Sequence, residues 1–467
     1  MYKAWLWLCP AMVLAQVDAN LAVDASAVRE PMEIGRYALG QGGLSDRPMF
    51  DRQVDAIRSL HVKLIRLFVQ EYFDLYPKRG AYHWAALDKA VDTILETGAK
   101  PLVSICIKPR LLYPVIDQDR VDPANYAGWE ELIYRMVQHY NVEKKAGIRY
   151  WEVFNEPDIG EAGGCPSRFT PESYARYYEH TARAILRADP HARVGGPALA
   201  SWTSPLLQGL LDHCASHRTP LDFVSWHIYH SDPAAIEKTI TGVKSLLSRY
   251  PDLHCETVLD EWNMSLDHPR LEPAYQPAFL IDTIARMRAA DLDYAAYYHI
   301  RDWHVDSQQF LRFMSRAGVL NMTNWWNLTP QYDGLFDFQG VLRPAYFAFR
   351  MLSQLTGNRV EAKSDRAEVK LMASYDHDQQ MFHVLVWNFS VEPPAAGHVT
   401  LRIVGVPPGR WTLRRLALDS DTASNQENDR LRVRKTETRV NVIQFEDTFD
   451  LPSYGIVLVS LRKDGSS

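Results

Sequence analysis

The stretch Ile148-Arg149-Tyr150-Trp151-Glu152-Val153-Phe154-Asn155-Glu156-Pro157-Asp158 decides how the chain folds. Its β-branched and aromatic residues run to a polar tip at Asn155, Glu156 and Pro157, the pattern of a buried strand that delivers a carboxylate into a cleft. Residues 254–263 have the same build: Thr257-Val258-Leu259 leads to Asp260-Glu261-Trp262-Asn263. Each of the two runs presents a glutamate where a strand should stop.

Outward from these runs, strand-like and helix-like segments alternate from about residue 34 to about residue 357. The strand candidates are residues 34–40, 63–68, 101–107, 149–154, 193–195, 223–227, 257–261 and 294–299, of which the fifth has the weakest pattern. Eight is the number that closes a parallel barrel, whose site is built at the C-terminal ends of its strands. The helices carry their own signals. Residues 84–96 place Leu87, Val91, Ile94 and Leu95 on one face and stop at Gly98, while Thr170-Pro171 supplies a cap and a first-turn proline for the helix that follows. Residues 277–290 and 344–355 repeat the helical period. Beyond Asn358 the period changes to alternation, with turn material at Asp376-His377-Asp378 and Pro407-Pro408-Gly409. The expected fold is therefore α/β, a (β/α)8 TIM barrel over residues 20–357 followed by a β-sandwich over residues 358–467. Residues 22–32 could add a strand to the sandwich, since chain ends often pair.

The 467 residues are 46% hydrophobic and 23% charged, enough for one large core and a smaller second domain. A net charge of −6 offers no basic field for nucleic acid or an anionic membrane. Thirteen Trp and 23 Tyr supply ring faces of the kind sugars lie against, although most such rings belong to cores. Lys3 precedes an apolar run from Ala4 to Ala15 and then Val17-Asp18-Ala19, which together read as a signal peptide over residues 1–19 and imply export to the periplasm or medium. That run is too short to span a bilayer. Cys106, Cys165, Cys214 and Cys255 lack metal-type spacing, so neither a metal nor a cofactor is expected. A bridge such as Cys165 to Cys214 is compatible with export, and Cys106 reads as a small buried apolar group.

Two glutamates on non-adjacent strand ends are what acid/base and nucleophilic chemistry on a glycosidic bond requires. Asn155-Glu156-Pro157 ending a fourth strand, His227-Ile228-Tyr229 ending a sixth and Asp260-Glu261-Trp262-Asn263 ending a seventh resemble the clan A retaining barrel glycoside hydrolases. Within that clan, Trp151 to Asp158 followed by Gly195-Gly196-Pro197, with a β-sandwich after the barrel, is most similar to glycoside hydrolase family 39. That family includes β-xylosidases and α-L-iduronidases. The Asp260 to Asn263 run is also in the style of the α-L-arabinofuranosidases of a neighbouring family.

The resemblance implies a retaining exo-glycosidase acting on an oligosaccharide or glycoside. In it Glu261 attacks the anomeric carbon and Glu156 serves as acid and then base, with the carboxyls about 5 to 5.5 Å apart. At that spacing and an effective dielectric of about 20, two charges repel by roughly 3 kcal/mol, enough to keep one carboxyl protonated near neutral pH. Asn155 would hold the hydroxyl beside the anomeric carbon and Tyr229 would donate to Glu261. His227 would line the pocket or stand as a hydrogen-bonded core histidine. Arg66, a charge in an apolar strand, needs a carboxylate, with Glu261 or Asp260 the candidates. Trp303, Trp325, Trp326 and Phe336 are candidates for a sugar platform. For a uronic acid substrate, Lys108 and Arg301 are the cations to consider. A barrel that binds carbohydrate without turning it over is the alternative of another class.

Overall fold

The computed structural model describes residues 17–42, 44–270, 272–421, 432–440 and 444–465. The chain divides into two compact units, residues 33–354 and a second built from residues before 33 and after 354.

The first unit is the expected barrel. Eight parallel strands close in sequence order: β2 (Tyr37–Gly40), β3 (Leu64–Gln70), β4 (Lys100–Cys106), β5 (Tyr150–Val153), β6 (Arg193–Leu199), β7 (Phe223–Tyr229), β8 (Glu256–Asn263) and β9 (Tyr294–Tyr298). Residues 34–36, expected to open the first strand, form a 3-10 turn instead. The helices are α1 (Val54–Arg58), α2 (Ala85–Glu96), α3 (Tyr126–Val137), α4 (Pro171–Ala188), α5 (Pro205–His217), α6 (Pro233–Leu247), α7 (Tyr275–Ala289), α8 (Ser307–Phe310), α9 (Arg316–Thr323) and α10 (Pro344–Leu352). At the start of α4, Thr170 accepts from the Ser173 backbone while the Ser173 hydroxyl accepts from the Thr170 backbone, and Pro171 occupies the first turn. That reciprocal cap is why the connection from β5 to α4 ends where the sequence says it should.

The interior is layered. Ala38, Leu64, Leu102, Tyr150, Phe223 and Val258 form an apolar plug. Two residues further along the same strands, on the same face of the pleat, stand Arg66, Ser104, Glu152, Ser225 and Asp260, all buried. The barrel thus changes from apolar to ionic within one layer, and the ionic layer lies toward the strand ends that carry Asn155, Glu156 and Glu261.

The second unit is a nine-stranded mixed sheet made of β1 (Val17–Pro31), β10 (Asn358–Ser364), β11 (Val369–Asp376), β12 (Met381–Asn388), β13 (Gly397–Val404), β14 (Arg410–Leu418), β15 (Arg432–Val440), β16 (Gln444–Leu451) and β17 (Ile456–Lys463). Its order is β15-β14-β17-β12-β11-β10-β1-β13-β16. The sheet curls so that two layers face one core. Trp411 on β14 and Phe445 and Phe449 on β16, near opposite ends of the order, share one hydrophobic cluster, and Arg415 lies 5.2 Å from the Phe449 ring. The layered sandwich is therefore one continuous sheet.

Two boundaries differ from the sequence reading. The N-terminal segment does add a strand, but β1 starts at Val17 and pairs in parallel with β13 and antiparallel with β10, so residues 17–32 belong to this unit rather than to the barrel. Alternate residues of β1, namely Ala19, Leu21, Val23 and Ala25, are buried in the sheet's core, which fixes the strand's register. Residues 1–16 of the expected signal peptide lie outside the described residues, whereas Val17 to Ala19 pair with Gly397 to Val399. A cleavage after Ala19 would cut into that strand.

The cysteine expectation is also corrected. Cys106, at the end of β4, is bonded to Cys165, 59 residues later in the loop after β5; Cys214 is buried and free, and Cys255 is free and partly exposed. Spacing carries no information on such a pairing, because the partners meet only once β4 and β5 lie side by side.

Candidate active site

Two local departures from regular strand geometry build the site. After β5, Phe154 and Glu156 both adopt positive φ (79° and 44°), a backbone that non-glycine residues rarely keep unless the surroundings hold it. The Glu156 amide donates to the Ala198 carbonyl at 2.8 Å, which anchors the tip to the end of β6. In β8 the register against β7 slips by one residue, with Trp226 opposite Leu259 but His227 opposite Glu261. Asp260 is the extra residue of a bulge. In a regular strand Asp260 and Glu261 would point to opposite faces; here both reach the same guanidinium.

That guanidinium belongs to Arg66 on β3, and it organises the site. Its nitrogens lie 2.7 Å from Glu152 Oε2, 2.8 Å from Asp260 Oδ2 and 3.1 Å from Glu261 Oε2. It also donates to Asn155 Oδ1 at 2.7 Å. Burial opposes its charge, but the Asp260, Glu152 and Glu261 carboxylates more than offset this and hold it firmly protonated. The sequence reading offered Asp260 or Glu261 as its partner; the structure supplies both and adds Glu152. Glu152 could have been noticed, since it shares the inward phase of Tyr150 in an apolar strand and, like Arg66, cannot be left there alone.

The groups in this layer shift one another. Burial pushes Glu152 up to about 8 against the pull of Arg66, with Asp260 adding to the rise. Asp260 is held low despite its burial by Arg66 and His227. His227 stands well above the usual imidazole value: burial works against its charge, but Glu261 and Asp260 favour it, and its ring bonds to Asp260 and Glu156. Arg66 and His227 thus stand against the acidic side chains of Glu152, Asp260 and Glu261 in one buried layer.

His227 does not line the cavity. It lies behind it, with Nδ1 at 2.9 Å from Glu156 Oε1 and Nε2 at 3.4 Å from Asp260 Oδ2. It is a bonded core histidine that reaches the site through Glu156. Glu156 is itself buried, and burial raises its pKa; the hydrogen bond and charge of His227 pull it down, and the charge of Glu261 pushes it up. On the other side, the Tyr229 hydroxyl donates to Glu261 Oε1 at 2.5 Å. One oxygen of Glu156, one of Glu261 and a ring nitrogen of His227 all lie within 4.8 Å of one another. Atoms of these kinds also bind metal ions, but His227 Nδ1 is already committed to Glu156.

Glu156, Glu261, Asn155 and Tyr229 line one cavity of about 300 Å³, together with Gln70, Tyr298, Trp325, Trp326, Gln331 and Asp333 among others. Gly163 packs directly against Glu156: a Cβ there would fall 1.8 Å from Glu156 Oε2. Next to it, Gly164 and Cys165 accept from the Gln70 amide, and the Cys106 bridge ties the same loop to β4. Trp303 is not a lining residue; its backbone N–H and C=O both bond the Gln331 side chain, and Arg301 lies over its ring. Phe336 is buried against Tyr346. The aromatic wall is made by Trp325, Trp326 and Tyr298, the last missed by the sequence reading because its side chain turns into the cavity at the end of β9. Lys108 donates to the Asp117 and Pro166 carbonyls and Arg301 to the Phe338 carbonyl, and neither lines the cavity.

The family model for glycosyl hydrolases family 39 matches residues 40–429. A β-xylosidase of Caldicellulosiruptor saccharolyticus is 29% identical over 307 residues, covering 59% of this chain and 57% of that enzyme. A β-xylosidase of Geobacillus stearothermophilus is 28% identical over 351 residues, covering 68% of this chain and 62% of that enzyme. The chain thus spans less than two thirds of the length of these curated relatives. The crystal structure of a family 39 enzyme from Xanthomonas axonopodis pv. citri superposes with a TM-score of 0.76 at 19% identity, covering 98% of this chain and all of that one. It shares the fold.

Removal of the Arg66 charge should leave buried carboxylates without their partner. Arg66→Met is expected to lower stability by about 3 to 5 kcal/mol, measured by chemical denaturation at pH 7. A loss below about 1 kcal/mol would contradict the network described here.

Proposed function

From the premise that the chain belongs to glycosyl hydrolases family 39, we propose that it is a retaining exo-glycosidase that cleaves O-glycosidic bonds by double displacement, with a β-xyloside as its substrate. The observation that supports this most is the approach of one Glu156 and one Glu261 carboxyl oxygen to within 4.8 Å across one cavity, in keeping with the short separation of a retaining pair, about 5 to 5.5 Å, rather than the wider gap of an inverting one. The β-xyloside assignment follows the two curated relatives.

Glu261 is the nucleophile. Arg66 and Tyr229 each bond one of its oxygens, which stabilises the carboxylate and fixes its rotamer. Glu261 forms a bond to the anomeric carbon while the bond to the leaving oxygen breaks, and Glu156 transfers its proton to that oxygen. Burial and the Glu261 charge favour the protonated form of Glu156 beforehand. Once Glu261 is esterified its charge is gone, the proton affinity of Glu156 falls, and Glu156 takes a proton from the water that releases the sugar. Asn155 accepts from Arg66 through its oxygen, which leaves its NH₂ group to donate to the hydroxyl beside the anomeric carbon of a bound sugar.

A cavity of about 300 Å³ suits one terminal sugar, in keeping with exo action. Its lining includes no lysine or arginine among the described residues, which favours a neutral sugar over a uronic acid. Export rests on the apolar stretch from Ala4 to Ala15, with cleavage ahead of the strand that begins at Val17.

Two measurements on the roles follow. Glu156→Gln should lower kcat/KM by about 10²- to 10⁴-fold for xylosides with poor leaving groups and much less for 2,4-dinitrophenyl xyloside, whose departure needs no proton. Equal losses would contradict the acid assignment, and sugar binding without turnover by the wild type would favour a binding protein. His227→Asn removes a hydrogen-bonded cation that pulls the Glu156 pKa down. Glu156 then keeps its proton to higher pH, and the alkaline limb of the kcat/KM profile should move upward; a downward shift would contradict the arrangement.

A further inference from the structure

The cavity has a buried end and an exposed rim, and the two differ in chemistry. Glu261 and Tyr298 at the inner end are buried, whereas Ile159 and Trp325 on the rim are 37% and 39% exposed. The rim lies on the side of the acid. It is made by the loop after β5, whose Gly163 packs on Glu156 and whose Ile159 and Gly160 amides donate to the Glu156 carbonyl at 3.1 and 2.9 Å. α9 rests on the same loop: the Asn321 amide donates to the Ala162 carbonyl at 3.2 Å, and a Cβ on Gly164 would fall 2.8 Å from the Met322 methyl. Trp325 follows three residues later. A substrate whose anomeric carbon meets Glu261 and whose leaving oxygen meets Glu156 must therefore carry its leaving group out past Ile159, Ala162, Met322 and Trp325.

These four side chains present hydrocarbon, and the polar groups beside them are turned elsewhere. Glu161 accepts from the Ser315 N–H at 2.7 Å and from the Ser315 hydroxyl, at the start of α9. Asp158 accepts from the Ala200 and Ser201 amides at 3.1 and 3.2 Å. Neither acid lines the cavity. The Gly164 carbonyl takes the Gln70 amide, and the Thr329 hydroxyl donates to the Asn324 carbonyl. A second sugar seated on this rim would exchange the water around its hydroxyls for apolar side chains, which costs free energy. An apolar group gains burial there instead, against the Trp325 ring and the Met322 thioether, whose unbranched chain adapts to its neighbour.

We infer that this rim is a leaving-group site for an apolar aglycone, so that the substrates are β-xylosides of aromatic or other hydrophobic alcohols rather than xylo-oligosaccharides. This rests on the proposed function and deepens it, because it names what the terminal sugar is attached to. Ile159 and Trp325, the exposed parts of the rim, are its specificity-determining residues. They act on the choice of leaving group and take no part in the proton transfer, which stays with Glu156.

The test compares benzyl β-D-xyloside, methyl β-D-xyloside and xylobiose. All three release alcohols that depart only with a proton, so differences in kcat/KM among them report contacts to the leaving group rather than its acidity. The wild type should favour the benzyl over the methyl glycoside by at least about 10-fold, the effect of burying roughly half of a phenyl ring, and should favour it over xylobiose. In Trp325→Ala the benzyl-to-methyl ratio should fall at least about threefold, and Ile159→Ser, at the other exposed position, should lower it as well. Both changes lie outside the core, so folding is kept. A wild-type preference for xylobiose, a wild-type benzyl-to-methyl ratio within about threefold, or a ratio that stays the same in both variants overturns the leaving-group site, and turnover of 2,4-dinitrophenyl β-D-xyloside then leaves the glycosidase reading standing. Failure of the wild type to turn over that activated xyloside overturns both.

Discussion

The site depends on one buried guanidinium. Arg66 on β3 is bonded to Glu152 and Asn155 from β5 and its tip and to Asp260 and Glu261 from β8, so a single side chain ties three strands together at the level where the barrel turns from apolar to ionic. A lone charge at 1% exposure is untenable, and so is a cluster of unpaired carboxylates. Each makes the other tolerable, and the fork geometry of Arg, with several donors in one plane, fixes where the carboxylates must stand. Arg66 and Tyr229 fix the Glu261 carboxylate between them, while the positive φ of Glu156 is held by the bond from its amide to the Ala198 carbonyl.

A chain of polar contacts extends from that centre. Asp260 bonds both Arg66 and His227, and His227 bonds Glu156, so the two glutamates of the cavity are coupled through the core behind them as well as across the gap between them. The front of the site is built differently. Gly163 lets the loop after β5 press against Glu156, and the bridge from Cys106 to Cys165 holds that loop to β4. Charge fixes the back of the site and covalent and steric constraint fix its front.

Much of this was legible in the sequence, for physical reasons that can be named. The barrel strands were visible because both of their faces are buried, so each is a short apolar run, and the strand-end motifs stood out as polar tips on those runs. Arg66 was visible as a charge where none should be. The bulge at Asp260 was not, because the letters of a bulged strand and a regular one are the same and only the register against β7 reveals the extra residue. The guess that His227 lines the pocket gave way to its core alternative for the same reason: the slip re-aims the residues on both sides. Trp303 was a candidate on residue type, yet its placement is decided by the Gln331 clamp on its backbone, 28 residues away in sequence. A strand for the sandwich was legible over residues 22–32, but its start at Val17 was not, because residues 17–19 also read as the end of a signal peptide; their match in β13 decides it.

The central claim is that Glu261 attacks sugar across the gap it shares with Glu156. Incubation with 2,4-dinitrophenyl 2-deoxy-2-fluoro-β-D-xylopyranoside, followed by intact mass and peptide mapping, tests it most directly, since the fluorine slows release of the intermediate more than its formation. The account predicts a stoichiometric mass increase of one fluoroxylosyl group on the peptide that contains Glu261, with activity lost in step. Labelling at Glu156 or elsewhere, or full turnover of a retained substrate with no covalent adduct, would contradict it.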